Sequence, residues 1–210
     1  NYKNNKNRMK KEEIRAKWNE FINDDKYKEY FINSDKTNKQ TIKDMSKPEI
    51  INKSEVKESK ENRQQRIQSK LSQLHKKYKT MNSQNLNTYF KENTKEWEEY
   101  HSISEENEKS FPQEEIPRNK IIKELENLPG KKHKVIADLG CGKAYINNYF
   151  KNNKRFTFYN FDHYSINDLV ISKDIKYTEL EDHSIDIAIL SLAMWGSNCV
   201  EYLKEAYRIL

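Results

Sequence analysis

Gly140, Cys141 and Gly142 lie in the segment "IADLGCGKAY", and Asp162 follows Gly140 by 22 residues. The chain has only four glycines, so half of them flank this one cysteine. A glycine pair lets the backbone turn sharply and lets a ligand approach the main chain closely. A carboxylate that ends the following strand is placed to accept hydrogen bonds from ribose hydroxyls. Tyr145 stands where the third glycine of a dinucleotide fingerprint would be, and no Lys-Ser/Thr phosphate loop is present. The spacing therefore fits a nucleoside cofactor without a pyrophosphate, for which S-adenosylmethionine is the candidate. An ordinary tight turn is the competing reading.

These residues need a strand, a turn and a second strand to hold them. "HKVIADLG" reads as a short apolar strand and "AYINNYFKNN" as a helix. "RFTFYNFD" alternates and is rich in aromatics, so it reads as a strand ending in Asp162. "SIDIAILSLAM" is a β-branched run of the kind found in buried parallel strands. "VEYLKEAYRIL" places Val200, Leu203 and Tyr207 at helical spacing. Strand, helix, strand, strand, helix predicts an α/β sheet with parallel strands over 131–210.

Residues 81–130 read as a helical pre-domain. Asn93 precedes Glu96 by three, which predicts a capping box, and Trp97 shares a face with Tyr100 or His101. Pro117 predicts a helix start, with Ile121, Ile122, Leu125 and Leu128 on one side and Pro129-Gly130 as the stop. Residues 1–80 form a basic helical and linker region. Ile14, Trp18, Phe21 and Ile22 predict a first amphipathic helix, and "INSDKTNKQTIKDMSKPEIINKSEVKESKEN" reads as a partly disordered linker. Ile67, Leu71, Leu74 and Tyr78 then make an apolar stripe, opposite Arg66, Lys70, Lys76, Lys77 and Lys79. That basic face is either a solvated surface or a nucleic-acid contact.

Charged residues make up 34% of the 210-residue chain, as do hydrophobic ones, so the core is thin for the length. The net charge of +6 is compatible with a polyanionic partner. Two cysteines in different motifs imply no disulfide framework and no metal cluster, and favour a reducing compartment. No apolar run reaches the ~18 residues that span a bilayer. The chain starts without Met and stops inside the apolar pattern of "EAYRIL", so a C-terminally truncated fragment is expected.

"VIADLGCG" resembles motif I of class I S-adenosylmethionine-dependent methyltransferases. Four further stretches resemble the Rrp8-like family of ribosomal RNA adenine-N1 methyltransferases. These are "YHSISEENEKSFPQEEIPRNKII", "NFDHYS", "KDIKYTELEDHSIDIAILSLAMWGSN" and "YLKEAYRIL", and the likeness runs over roughly 95–210. The string "LSLAMWGSN" after its strand is the most specific part. The resemblance implies a Rossmann-like methyltransferase sheet, incomplete at the C-terminus, with S-adenosyl-L-methionine as cofactor. Carried over by position, it implies Gly140 at the methionine moiety and Asp162 at the ribose. It also implies Asp174 and Ile175 at the adenine, Ser191 at the end of the fourth strand, and His101 closing over the cofactor. A packed helix histidine is the alternative for His101. Trp195 and Ser197 depart from the family's run.

The implied reaction is methyl transfer to an adenine nitrogen in ribosomal or other RNA. In it Asn198 hydrogen-bonds to a flipped base, and Met194 and Trp195 stack beside it or lie in the core instead. No residue stands out as a general base, and no metal or membrane is implied. The implied location is intracellular, in the nucleus or nucleolus of a eukaryotic cell and otherwise in the cytoplasm. Two rivals remain. One is a non-catalytic RNA-binding scaffold that keeps the fold, and the other is a methyltransferase acting on protein or a small molecule.

Overall fold

The computed structural model describes residues 59–210. The amphipathic segment around Trp18 and the linker after it lie outside these residues. Three helices come first. α1 (Lys60–Lys79) is capped by Ser59, whose hydroxyl accepts from the Asn62 amide at 3.2 Å. α2 (Ser83–Glu92) is capped in the same way by Asn82, and α3 (Thr94–Glu108) follows directly. The stripe on α1 is buried at Ile67, Leu71 and Tyr78, and α1 packs along α3. Tyr78, Leu86, Phe90 and Trp97 join the three helices in one cluster.

Two features of these helices differ from expectation. Asn93 makes no side-chain cap; its amide group donates instead to the Tyr89 carbonyl at 2.8 Å. Glu96, the other half of the expected box, accepts from Lys77, Tyr78 and Tyr89. The basic face of α1 is also partly consumed. Lys77 pairs with Glu96 and Lys70 with Glu99, so these two lysines hold α1 to α3.

A 3-10 turn at Gln113–Glu115 leads into α4 (Pro117–Glu126), with proline in the first turn as expected. Four parallel strands follow: β1 (Lys134–Leu139), β2 (Phe156–Asp162), β3 (Val170–Ser172) and β4 (Ile187–Ile189). Their order in the sheet is β3-β2-β1-β4. Helix α5 (Tyr145–Tyr149) joins β1 to β2, and α6 (Val200–Ile209) follows β4. β1 is covered on both faces, which explains its unbroken apolar run. Ala137 and Leu139 pack with Tyr202, Ala206 and Ile209 of α6, whereas Ile136 packs with Leu125 of α4 and Ile146 of α5.

The strands are shorter than the sequence pattern implies. Only Ile187–Ile189 of "SIDIAILSLAM" pairs in the sheet. Past it the chain turns away, with Leu192 in the left-handed region at φ 56°. β3, with three residues, is too short to be seen as a period. Among the described residues no helix is long and apolar enough to cross a membrane.

Candidate functional site

The chain builds β1, β2 and β3 outward in one direction, then places β4 on the other side of β1. Such a reversal leaves a crevice at the carboxyl ends of the flanking strands. One cavity lies there. Asp138 and Gly140 reach it from β1 and the turn after it, Asp162 from β2, and Ser191 and Leu192 from beyond β4. α3 supplies Trp97, Tyr100 and His101.

The turn after β1 is stitched to the end of β2. The amides of Gly140 and Cys141 both donate to the Phe161 carbonyl, at 2.8 and 3.0 Å. Gly140 has φ 84° and Gly142 has φ 57°, so both adopt the left-handed conformation that glycine takes without strain. The groups that approach these glycines are the protein's own. A Cβ on Gly140 would meet Ala193 Cβ at 2.4 Å, and one on Gly142 would lie 3.0 Å from His101 Cε1.

Asp162 is the hub. Its Oδ1 accepts from Trp97 Nε1 and from the His163 amide, each at 2.8 Å. Its Oδ2 accepts from the Gly142 amide at 2.8 Å. A carboxylate has about four acceptor sites, so one remains for an outside donor. α3 closes over the turn at two further points. The His101 ring lies tilted against Trp97, with centroids 3.9 Å apart. Glu105 accepts from Tyr145 at 2.9 Å and pairs with Lys143 at 2.5 Å. Burial holds His101 below its usual range, against the pull of Asp162, so its ring is neutral at pH 7.

Asp138 was not among the residues expected here. It is 2% exposed and lines the cavity, and among the described residues no hydrogen bond reaches its carboxyl. Burial, then the charge of Asp162, pushes its pKa up to about 7. A carboxylate inside "KVIADLG" was the available signal, because a buried acid in an apolar strand is otherwise unfavourable. Trp97 was expected only as a packing residue, and nothing in the local pattern pointed its indole N–H at Asp162. Burial raises the Cys141 thiol, with the same two carboxylates adding to it, so the cysteine is no thiolate nucleophile.

His101, Gly140, Asp162, Ile175 and Ser191 line the one cavity. Asp174 does not line it. Its Oδ1 accepts from the Lys176 amide at 3.1 Å, while its buried Oδ2 has no hydrogen-bond partner and lies 4.0 Å from Lys176 Nζ. Among the described residues no cluster of His, Cys, Asp or Glu could hold a metal ion.

The residues expected around a target base are otherwise engaged. Asn198 accepts from the Ser83 amide at 2.8 Å and donates to its hydroxyl at 3.0 Å. It therefore satisfies an orphan amide at the start of α2. Met194 packs against the core beside α6, and Trp195 stacks on His75 at 4.0 Å. Met194 thus matches the core alternative, whereas Trp195 is half-buried and joins no core cluster of the described residues. Trp195 does border the cavity, and Leu192, 61% exposed, stands at it too.

A sequence profile of a family described as "Hypothetical methyltransferase" matches residues 58–210. The chain belongs to this methyltransferase family. Relatives bear more specific names. A ribosomal RNA-processing protein 8 of Arabidopsis thaliana is 38% identical over 58% of this chain and 40% of its own length. A 25S rRNA adenine-N1 methyltransferase of Schizosaccharomyces pombe is 36% identical over 58% of this chain and 39% of its own. One of Saccharomyces cerevisiae is 31% identical over 62% of this chain and 40% of its own. The chain thus spans about two-fifths of the curated relatives it matches. A solved putative methyltransferase from an antibiotic biosynthesis pathway of Anabaena variabilis aligns over 47% of this chain and 44% of its own. Its identity is 23% and its TM-score 0.35.

Proposed function

We propose that this chain carries the cofactor site of an S-adenosylmethionine-dependent enzyme that methylates an adenine nitrogen in ribosomal RNA. The observation that carries the cofactor assignment is a buried acid on the cavity wall. The Asp138 carboxyl is 2% exposed, lines the cavity beside Gly140 and Asp162, and receives no hydrogen bond from the described residues. A buried carboxylate of this kind is unfavourable unless a ligand supplies a donor or a charge. S-adenosylmethionine fits it, being cationic at the methionine end. The substrate assignment follows from the names of the relatives.

In this reading Asp162 uses its remaining acceptor site for one ribose hydroxyl. Asp138 faces the cationic end beside Gly140, and Ile175 packs on the adenine ring, whereas Asp174 stays outside the cavity lining. Ser191 and His101 complete the wall, the neutral imidazole adding no like charge against a cation. Bound S-adenosylmethionine supplies an activated methyl group on a sulfonium. Adenine N1 has a free lone pair, so the protein need not remove a proton before attack. Its contribution is alignment of nucleophile and methyl carbon, which can be worth about 7–11 kcal/mol in well-oriented systems.

Calorimetry with S-adenosylmethionine on the wild type and on Asp138→Ala and Asp162→Ala variants tests the site. Micromolar binding that both substitutions weaken at least tenfold is the expected result. No binding by folded wild-type protein overturns the cofactor assignment. Incubation of the complete protein with ribosomal RNA and labelled cofactor then tests the reaction, with N1-methyladenine as the expected product. Cofactor binding without methyl transfer would favour the scaffold reading, and transfer to protein alone would favour the other rival.

A further inference from the structure

A second charged feature lies at the opposite end of the sheet. The loops entering β1 and β2 carry "KKHK" (131–134) and "KNNKR" (151–155). Arg155 Nη2 donates to the carbonyls of Leu128 and Pro129 at 2.9 and 3.1 Å, binding the second loop to the first. The Lys134 amide donates to the Arg155 carbonyl at 2.8 Å, and His133 Nδ1 lies 3.2 Å from the Lys154 carbonyl. These bonds hold Lys131, Lys132, Lys151 and Lys154 on neighbouring loops, all exposed.

Elsewhere on the described surface many lysines face an acid. Lys70, Lys77, Lys109, Lys143, Lys173 and Lys204 each pair with a glutamate. The four lysines at this end have no ion-pair partner among the described residues. Asp186 is near Lys132, but Lys134 already pairs with it at 2.8 Å. Between the lysines stand Asn152 and Asn153, also exposed. A protein partner would call for an apolar centre to the patch. Of the large exposed apolar residues near it in sequence, Tyr149 has its hydroxyl bonded to Glu126, Tyr145 has its own bonded to Glu105, and Tyr159 lies past the loop in β2. Cations spaced along a polar rim fit a phosphate backbone, which lysine and asparagine contact without reading sequence.

We propose that Lys131, Lys132, Lys151 and Lys154 dock the phosphate backbone of the RNA that carries the target base. This rests on the reading of RNA as substrate. β2 runs from this end to Asp162, and at ~3.3 Å per residue it separates the lysines from the cavity by roughly 20 Å. That gap corresponds to about six nucleotides stacked at ~3.4 Å each. The surface therefore acts on structured or long RNA and is out of reach of a very short oligonucleotide in the cavity.

The test replaces all four lysines by glutamine in the complete chain. A control replaces four other exposed lysines, Lys91, Lys95, Lys120 and Lys123. Binding of a labelled 30-nucleotide RNA stem-loop and of a labelled four-nucleotide adenylate is measured by anisotropy across a salt series. With the stem-loop, the proposal expects affinity at least tenfold weaker and a log–log salt slope shallower by about 2–4 than wild type. The control and the short adenylate are expected to change less than threefold. A stem-loop affinity and slope equal to wild type overturn the docking surface alone. The same holds if the variant loses only binding to polyglutamate, which would mark an acidic protein as partner. Failure of the wild type to bind the stem-loop overturns the RNA reading itself.

Discussion

Trp97 and Asp162, 65 positions apart, are joined by a buried 2.8 Å hydrogen bond from the indole Nε1 to the carboxylate. The bond ties a helix outside the sheet to the strand end that forms the cavity. Replacing Trp97 with Phe keeps an aromatic ring and removes the donor. A buried hydrogen bond to a charged group is worth about 1.5–3 kcal/mol, so Trp97→Phe should lower the urea midpoint accordingly. It should also weaken S-adenosylmethionine binding, because Asp162 loses one of the donors that fix its orientation. Unchanged affinity in a destabilised variant would show that the bond serves stability only.

The two glycines are coupled to different partners. Gly142→Ala should destabilise by about 1–3 kcal/mol, from its positive φ and from contact with His101. Adding His101→Ala relieves the contact but not the backbone strain, so a double-mutant cycle should give a coupling of about 1 kcal/mol. Gly140→Ala should be worse, since Ala193 Cβ would lie at 2.4 Å and sits on the core. Denaturant titration of the wild type and the four variants checks both statements.

Asn198 separates a structural from a base-reading role. Asn198→Ala leaves the Ser83 amide without its acceptor and should cost about 1–3 kcal/mol. Asn198→Asp keeps that acceptor and can accept from the Ser83 hydroxyl, so it should restore most of the stability. RNA affinity should follow stability across the two variants. A stable Asn198→Asp protein that no longer discriminates adenine would assign the residue to the base instead.

Asp138 makes the site sensitive to pH. Its folded pKa is raised to about 7, above its ordinary value of 3.8. The protonated form is thus favoured in the fold. The stability linked to this group is full below about pH 4 and declines as pH rises through 7. Binding of a cationic ligand has the opposite sign and should strengthen between pH 6 and pH 8 as Asp138 ionises. Asp138→Asn should flatten that profile and raise the stability of the free protein above pH 7. Calorimetry and thermal melts at several pH values would reveal either trend.

Much of this site was legible in the sequence because its signals are local. The strand ending at Leu139, the glycine turn and the strand ending at Asp162 each occupy one short window. Pro117 opens α4 for a reason contained in its own ring. The hydrogen bonds around Asn198 and Trp97 were not legible, since each depends on a partner far along the chain. Glu96 was misread for the same reason: its position fits a local cap, but Lys77, Tyr78 and Tyr89 hold it more strongly. β4 was overestimated because an apolar run does not say where pairing stops. Leu190, Ala193 and Met194 are apolar yet leave the ladder, packing on the core from a turn.

The Ser83–Asn198 pair joins positions 115 residues apart. During synthesis α1, α2 and α3 therefore emerge long before the segment that anchors α2 beside β4. Gly142 and then Asp162 follow in between, so His101 and Trp97 can meet their partners before α2 meets Asn198. The wall of the cavity is thus supplied from both ends of the described residues, and it is complete only once the segment around Ser191 and Trp195 has followed.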